Sequence, residues 1–302
     1  MPEFLPLKSS RRDFLKTTGL SLGTLLTGAC VQIPIRSRKT RGPAHWALLA
    51  DTHVTQDPEE KYRGFLINEH TKKAVPQILE TAPDGAIIVG DCARLKGLLD
   101  DYDVLWRLCK PLRDQMPVAF AMGNHDDREN YRKVFRLQGG KPAPVEGKHV
   151  LVIDDDGAGV RFIVLDSLLK VNETGGRLDD AQCRWLEQFL DQADRRPTFL
   201  FVHHPPTGRN GDLQDADALY EIILPRKQVK AVFYGHSHAY RYAQREGIHL
   251  INLPAVGYNF DDHQPIGWVD ARLSTKGGEF TLRTVGGNEE DNGKTISLTW
   301  RT

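Results

Sequence analysis

Five short apolar segments of this chain each end directly in residues that can bind a metal ion. In chain order, the residues at these ends are Asp51 with His53, Asp91, Asn124 with His125, His203 with His204, and His236 with His238. A short apolar run bounded by turn residues predicts a buried strand. Because ligands in open α/β sheets gather beyond the carboxyl ends of the strands, we expect these side chains to converge on one site.

The first of these ends combines a carboxylate with an imidazole. Side chains two positions apart on a strand point to the same side, so Asp51 and His53 are expected to face one point. A carboxylate oxygen and an imidazole suit a divalent metal. On its own, this pair is more typical of a turn aspartate beside an exposed histidine, and the four further ends are what favour a metal site. Glycines precede Asp91, Asn124 and His236, where we expect them to let the backbone turn sharply.

The order of apolar patterns predicts an α/β fold. Helix-like spacing alternates with strand-like runs up to about residue 240, and strand-like runs dominate beyond it. Helices are predicted over 69–80, 98–112, 128–135, 179–193 and 216–224. Pro76 indicates a break or a late start in the first of them, and 56–66 is predicted to be a loop. The alternation indicates two packed β-sheets with helices on the outside.

Composition and charge argue against several classes of protein. The chain has 302 residues, with 40 basic and 40 acidic side chains. Residues 1–41 carry eight of the basic side chains and two of the acidic ones, so the remainder is mildly acidic and indicates no nucleic-acid surface. The cysteines, Cys30, Cys92, Cys109 and Cys183, lack Cys-x-x-Cys spacing, which argues against a zinc knuckle or a disulfide-rich scaffold. Buried thiols are expected, with one disulfide among the last three as the alternative.

The first 30 residues have the pattern of an export signal. Arg11 and Arg12 are followed by Phe14-Leu15-Lys16 and by a weakly apolar run, 17–29, that is too short to span a bilayer as a helix. This pattern closely resembles a twin-arginine signal peptide, which is read by a receptor. The alternative is an ordinary amphipathic helix start. We therefore expect an exported protein, with 1–30 as the signal peptide, 31–43 as a linker and 44–302 as the functional domain.

Cys30 bears on the fate of the mature N-terminus. It follows Leu26-Thr27-Gly28-Ala29, which resembles a lipoprotein processing site except that Thr27 stands where a larger apolar residue is usual. Lipidation of Cys30 predicts a membrane-anchored lipoprotein, whereas simple cleavage after Ala29 predicts a periplasmic protein. Both alternatives are compatible with the sequence.

From residue 45 to residue 240, the sequence resembles the calcineurin-like metallophosphoesterase family. The resemblance is carried, in order, by Asp51-x-His53, Gly90-Asp91, Gly123-Asn124-His125-Asp126, His203-His204-Pro205 and Gly235-His236-x-His238. Within the family, the Asp-Thr-His start and the His-His-Pro-Pro block look most similar to the bacterial cyclic-nucleotide and glycerophosphodiester phosphodiesterases. The resemblance implies a four-layer α/β/β/α sandwich and makes 44–302 a metallophosphoesterase domain.

The resemblance also implies a site with two divalent metal ions, which are iron, manganese or zinc. The implied ligands are Asp51, His53 and His238 for one ion and Asn124, His203 and His236 for the other, with Asp91 as the bridge. His125 is implied to lie just outside the ligands, with Asp126 as its orienting partner. His204 is implied to be a neighbour of the site rather than a ligand.

These side chains suit the hydrolysis of phosphate esters. Two divalent ions carry four positive charges, and Asp51 and Asp91 return two negative ones, so a net charge of about +2 attracts an anionic ester. A hydroxide held by both ions is the expected nucleophile, and His125 is the expected general acid, worth about 10²- to 10⁴-fold in rate. We expect a small phosphate ester, with diesters favoured, as the substrate. The alternatives are a phosphomonoesterase or nucleotidase and, in a different class, a surface protein that binds metal without turnover.

Two further segments have two interpretations each. Residues 257–263, Gly-Tyr-Asn-Phe-Asp-Asp-His, have no regular period and form either a rim over the substrate or a surface loop. Lys61-Tyr62-Arg63 either contacts a phosphate oxygen or is solvated charge. The surface loop and the solvated charge are the favoured interpretations because both are the commoner outcome for polar segments.

Overall fold

The structure is a computed structural model that describes residues 42–135 and 139–302. Within these residues, the chain forms fifteen strands and six helices. The predicted signal peptide, 1–30, and nearly all of the predicted linker lie outside the described residues. None of the described helices is long and apolar enough to cross a membrane.

The first of two large sheets has six strands. In spatial order they are β15 (Thr295–Thr299), β14 (Gly277–Gly287), β13 (Pro265–Leu273), β1 (Ala44–Leu49), β4 (Gly85–Ile88) and β5 (Val118–Phe120). Strands β1, β4 and β5 are parallel, whereas β13 and β14 are added in antiparallel order. The strand-rich last fifth of the chain therefore completes the sheet that β1 begins.

The second sheet has seven strands. In spatial order they are β11 (Arg241–Arg245), β12 (Ile248–Asn252), β10 (Val229–Tyr234), β9 (Thr198–Phe201), β8 (Val160–Val164), β7 (Leu151–Asp155) and β6 (Lys141–Pro142). Its four central strands, β12, β10, β9 and β8, are parallel, and antiparallel strands lie at both edges. The two parallel groups, one in each sheet, are the ones that end in the predicted ligands.

Helices cover the outer faces of the two sheets. They are α1 (Ile67–Thr81), α2 (Leu99–Leu108), α3 (Lys110–Arg113), α4 (Arg128–Val134), α5 (Asp179–Gln192) and α6 (Ala216–Ile223). Between the sheets lies an apolar core in which Trp46 of β1 meets Phe162 of β8, with ring centroids 4.9 Å apart. A second core joins α1 and α2 to the first sheet, and a third joins α5 and α6 to the second. The predicted four-layer α/β/β/α sandwich is confirmed.

The structure differs from two helix predictions. Helix α1 runs through Pro76 without a break. Pro76 is exposed while Ala74 and Ile78 are buried, so burial of the apolar face offsets the backbone hydrogen bond that proline cannot make. The predicted helix 98–112 is instead two helices that meet at Cys109. Pro111 lies in the first turn of the second one, where a proline fits best.

Four short strands, β2 (Lys61–Tyr62), β3 (Phe65–Leu66), β6 and β11, were not predicted. Residues 56–66, predicted to be a loop, contain a small hairpin of β2 and β3. Strand β11 lies at a sheet edge with every side chain exposed, so its sequence lacks the apolar alternation that predicts a strand. Cys92, Cys109 and Cys183 are free thiols, and the first two are buried, as expected.

Candidate metal centre

The five predicted strand ends meet where the parallel strands of the two sheets end. Ligand-type atoms lie within 4.8 Å of one another in four overlapping groups, which are Asp51–His53–His238, His53–Asp91–His125, Asp51–Asp91–His203 and His203–His204–His236. Asn124 joins the cluster through Oδ1, which is 3.3 Å from His203 Nε2. The structure therefore brings together all nine strand-end side chains that the sequence analysis singled out.

Asp91 lies at the middle of this cluster. Its Oδ2 atom is 3.3 Å from His203 Nε2 and 3.6 Å from His53 Nε2. The other carboxylate, Asp51, has Oδ1 3.4 Å from His238 Nε2. Both carboxylates are buried. Asp91 thus faces both halves of the cluster, which is the position that a bridging ligand requires.

Backbone carbonyls fix the orientation of three histidines. Nδ1 of His53, His203 and His238 lies 3.1, 2.9 and 2.6 Å from the carbonyl oxygens of Arg94, Val89 and Tyr258, respectively. A carbonyl only accepts hydrogen bonds, so each Nδ1 carries the hydrogen and each Nε2 directs its lone pair into the cluster when the ring is neutral. This is the arrangement in which histidine binds metals.

The atoms inside the cluster are nearly all hydrogen-bond acceptors. The Nε2 atoms of His53 and His238 are only 3.0 Å apart, although both lone pairs face inward. Neutral rings in this arrangement repel one another unless a positive charge lies close to both nitrogens. Imidazole nitrogens together with carboxylate and amide oxygens, without a thiolate, are ligand atoms that suit zinc, iron or manganese. The residues present therefore fit divalent cations.

Electrostatics keep the carboxylates ionised despite their burial. Burial favours the neutral form of Asp91, but the adjacent His203 and His53 outweigh it and lower the pKa of that carboxyl well below its ordinary value. Burial likewise opposes charge on His203, yet Asp91 and Asp51 raise its pKa to about 9. Burial dominates at His53 and lowers its pKa to about 3. The cluster is thus a buried anionic centre that requires positive charge.

The ligand residues adopt an uncommon backbone conformation. Positive φ angles, between 45° and 68°, occur at Asp51, His53, Asp91, His236 and His238. Such angles cost side-chain-bearing residues about 1–3 kcal/mol each and concentrate at functional sites. Hydrogen bonds hold the strained segments, for example from the Asp51 and His53 backbone N–H groups to the Gly90 and Asp91 carbonyls. The left-handed angles turn the chain so that alternate side chains face the cluster.

Of the three glycines before the ligands, only Gly90 has a positive φ, of 76°, as expected for a sharp turn. The other two act differently from the expectation. A Cβ atom at Gly123 would overlap Asp91 Oδ1, and one at Gly235 would overlap Asp51 Oδ2. Gly123 and Gly235 are therefore needed for space, because the carboxylate from a neighbouring strand end occupies the volume that a side chain would fill.

His125 lies at the open side of the cluster. Its Nδ1 donates to the Leu95 carbonyl at 3.0 Å, and its Nε2 is 4.0 Å from Asp91 Oδ2. Its side chain is 19% exposed, whereas the proposed ligands other than His236 are buried. The His125 backbone N–H donates to Asp91 Oδ1 at 2.8 Å, but neither the Asp51 nor the Asp91 carboxylate reaches Nε2 at hydrogen-bonding distance, so Nε2 is free to meet a bound molecule.

The expectation that Asp126 orients His125 is wrong, since the Leu95 carbonyl has that role. The Asp126 carboxylate instead accepts hydrogen bonds from the backbone N–H groups of Cys92, Ala93 and Gly123, and from the Tyr102 hydroxyl. Burial and the nearby Asp91 raise the pKa of Asp126 to about 6. Asp126 thus ties together the loops that follow β4 and β5, and supports the ligands without facing the cluster.

His204 is buried, and one of its ring nitrogens lies within the group that it forms with His203 and His236. Its Nδ1 pairs with Ser167 Oγ at 2.7 Å, and its ring centroid is 4.8 Å from that of His236. Its Nε2 has no hydrogen-bond partner. The sequence analysis missed Ser167, which follows the apolar end of β8 and is thus a sixth strand end. It also missed Arg94, whose carbonyl orients His53.

Comparison with known proteins identifies the family. A family model described as calcineurin-like phosphoesterase matches residues 46–240. The chain belongs to this family. It is accordingly a metallophosphoesterase, a hydrolase of phosphate esters that depends on two divalent metal ions. The match covers all five strand ends.

The metallophosphoesterase is similar to several bacterial phosphodiesterases. It is 29% identical over 239 residues to a probable cyclic nucleotide phosphodiesterase of Synechococcus, covering 76% of this chain and 88% of the relative. It is 28% identical over 235 residues to a glycerophosphodiester phosphodiesterase of Enterobacter lignolyticus, covering 72% and 81%. A dimetal phosphatase from Danio rerio has the same fold, with a TM-score of 0.68, 15% identity, and coverage of 86% of this chain and all of that one.

The variant Gly123→Ala tests whether space beside Asp91 sets metal affinity. The added methyl group would displace the Asp91 carboxylate, and we expect metal affinity to fall about 10- to 100-fold. Titration of the metal-free protein with Zn²⁺ or Mn²⁺ measures this. Gly42→Ala is the control, because a Cβ there meets no atom within 4 Å. Wild-type affinity in Gly123→Ala would contradict the steric role of Gly123.

Proposed function

We propose that this metallophosphoesterase hydrolyses phosphodiesters at a centre in which Asp91 bridges two divalent ions. In this proposal the ligands are Asp51, His53 and His238 for one ion and Asn124, His203 and His236 for the other. The observation that carries the proposal is the convergence of buried acceptor atoms on Asp91 Oδ2, with two histidine Nε2 atoms at 3.3 and 3.6 Å. Binding of the ions requires neutral histidines and therefore displaces the proton that His203 holds in their absence.

The charges of the centre favour an anionic substrate. The bound ions supply Lewis-acid activation of water and of the phosphoryl oxygens. Two divalent ions would carry four positive charges. The Asp51 and Asp91 carboxylates would neutralise two of them, because Asn124 and the histidines are neutral ligands. The resulting net charge of about +2 beside these side chains would attract the phosphodiester anion.

His125 is proposed to donate a proton to the leaving oxygen. The hydrogen bond from Nδ1 to the Leu95 carbonyl holds the ring so that Nε2 faces the centre. A proton on Nε2 would then lie close to the leaving oxygen of an ester bound at the centre. The alkoxide leaving group of a diester is a strong base, so protonation matters most for such substrates.

Support for diesters over monoesters comes from the relatives. The names of those in Synechococcus and Enterobacter lignolyticus both specify phosphodiesterases, and the matched region includes the whole proposed ligand set. Hydrolysis of monoesters, as by a phosphatase or nucleotidase, is the alternative that a rate comparison rejects or supports.

Metal analysis combined with a chelator-controlled assay tests the proposal. We expect about two divalent ions per chain, faster hydrolysis of bis(p-nitrophenyl) phosphate than of p-nitrophenyl phosphate, and loss of both activities with chelator. Added Mn²⁺ or Zn²⁺ should restore them. Hydrolysis that survives complete removal of metal would refute the mechanism. A faster reaction with the monoester would show that the protein is a phosphomonoesterase rather than a phosphodiesterase.

Substitutions of His125 and Asp91 separate proton donation from metal binding. We expect His125→Ala to keep its metal and to lose about 10²- to 10⁴-fold in kcat, with the largest loss on poor leaving groups. Asp91→Ala should lose metal and activity together, because it removes the proposed bridge. Elemental analysis and steady-state kinetics on both variants are the measurements. Loss of metal from His125→Ala, or a fully loaded and active Asp91→Ala, would contradict these roles.

We also propose that the protein is exported through its N-terminal segment, and this proposal is supported by the sequence of residues 10–16 alone. Replacement of both Arg11 and Arg12 by Lys should retain the precursor in the cytoplasm, whereas Lys8→Arg should leave export unchanged. Cell fractionation is the measurement. Cys30→Ser moves the exported protein from the membrane to the soluble periplasm if Cys30 is lipidated. Normal export of the double-lysine variant would rule out the twin-arginine route.

A further inference from the structure

Exposed apolar side chains lie beside the metal centre. Seven large apolar side chains are exposed in the part of the chain that the structure describes, namely Tyr62, Leu95, Leu98, Leu99, Leu169, Tyr242 and Phe260. Two of them, Phe260 and Tyr62, are aromatic and contact residues of the centre or residues packed against it. Because exposed apolar groups clustered at one place mark binding surfaces, these two rings are candidates for binding a ligand.

Phe260 packs directly on a proposed metal ligand. Its ring stacks on the His238 ring with centroids 4.3 Å apart and an angle of 27° between the planes. The side chain is nevertheless 49% exposed. Tyr258, which is buried, supports it edge-on at 5.6 Å and accepts the hydrogen bond from His238 Nδ1 through its carbonyl. Phe260 is therefore held at the centre with much of its surface open to a ligand.

Tyr62 lies next to the same group of rings. It belongs to the β2–β3 hairpin, is 37% exposed, and has its ring centroid 4.6 Å from that of Tyr258. The Arg94 guanidinium lies 4.8 Å from the Tyr62 centroid. An ion pair of 3.2 Å between Arg63 and Asp262 joins the hairpin to the segment that carries Phe260. The two exposed rings are thus held on one side of the centre by contacts between their segments.

The two guanidinium groups beside these rings are already engaged. Arg94 donates to Glu60 at 2.6 Å, and Arg63 pairs with Asp262. Phe260 and Tyr62 keep 49% and 37% of their surface exposed while Arg94 lies over the Tyr62 ring, so the uncovered ring surface is what these two side chains offer to a ligand. A ring face binds planar aromatic groups by stacking, worth about 1–3 kcal/mol per base in proteins that bind single-stranded nucleic acids.

We propose that Phe260 and Tyr62 form an aromatic platform that binds a planar aromatic ring in the organic part of the substrate. This proposal rests on the phosphodiesterase function proposed above, and it adds a specificity site to it. The metal centre holds the phosphate while the platform holds the ring, so esters that carry an aromatic ring bind more tightly than esters of a polyol such as glycerol. The segments 61–63 and 257–263 then form a substrate rim, in contrast to the solvated charge and surface loop favoured from sequence.

Binding of matched monoesters to the wild-type protein tests the platform without any substitution. AMP and ribose 5-phosphate share the phosphate and the sugar and differ in the aromatic base. With the Mn²⁺-loaded protein, we expect calorimetry to give an affinity for AMP about 5- to 150-fold higher, which corresponds to the stacking energy. Equal affinities would overturn the proposal.

Substitutions at Phe260 separate stacking from general apolar contact. Phe260→Ala and Phe260→Leu should both lose most of the preference for AMP, and both should raise KM for cyclic AMP more than they lower kcat. Phe260→Trp should keep the preference because it retains a ring. Tyr242→Ala is the control, since Tyr242 is 43% exposed on β11 and lies outside the platform. A Leu variant that retains the wild-type preference would overturn the stacking role.

A comparison of two diesters distinguishes failure of this proposal from failure of the proposed function. Wild-type kcat/KM should be higher for cyclic AMP than for glycerophosphoethanolamine, and Phe260→Ala should reduce that ratio at least about fivefold. Hydrolysis of both diesters with a ratio that Phe260→Ala leaves unchanged rejects the platform alone. Absence of metal-dependent hydrolysis of any diester rejects the phosphodiesterase function itself.

Discussion

The structure depends on a group of buried acceptor atoms that cannot satisfy one another. The Nε2 atoms of His53 and His238 face each other at 3.0 Å, and the buried Asp91 carboxylate lies between His53 and His203. The proton on His203 offsets part of this negative charge, and in a low-dielectric interior the remaining acceptors favour additional positive charge. Two divalent ions meet that requirement and leave charge to attract a phosphate ester, so the same constraint explains metal binding and function.

The two-sheet frame holds this unfavourable arrangement in place. Five of the proposed ligands have positive φ angles, at a cost of about 1–3 kcal/mol each. The carboxylates of Asp91 and Asp51 occupy the space that side chains at positions 123 and 235 would fill. The apolar core between the sheets and the hydrogen bonds that join neighbouring strand ends fix the strained segments. A rigid frame therefore pre-organises the ligands before any ion binds.

The site divides into a rigid interior and an open edge. The proposed ligands other than His236 are buried, whereas His125 and Phe260 contact them from positions that solvent reaches. In the proposals made above, the interior activates the phosphate, His125 protonates the leaving group, and the aromatic platform selects the organic part. Substrate preference can then change at positions 62 and 260 without altering the chemistry of the centre.

The sequence by itself determined the α/β class and all five strand ends, because each apolar run stops at its ligand residue and strand periodicity is local. It also led to the family, because the five motifs occur in order between residues 45 and 240. Tertiary structure alone decided what depends on distant contacts. Pro76 stays inside α1 because the apolar face of that helix is buried, Asp126 turns to the backbone of the neighbouring loop, and Leu95 orients His125 from another segment. The aromatic platform likewise unites residues about 200 positions apart, and no local pattern encodes such a contact.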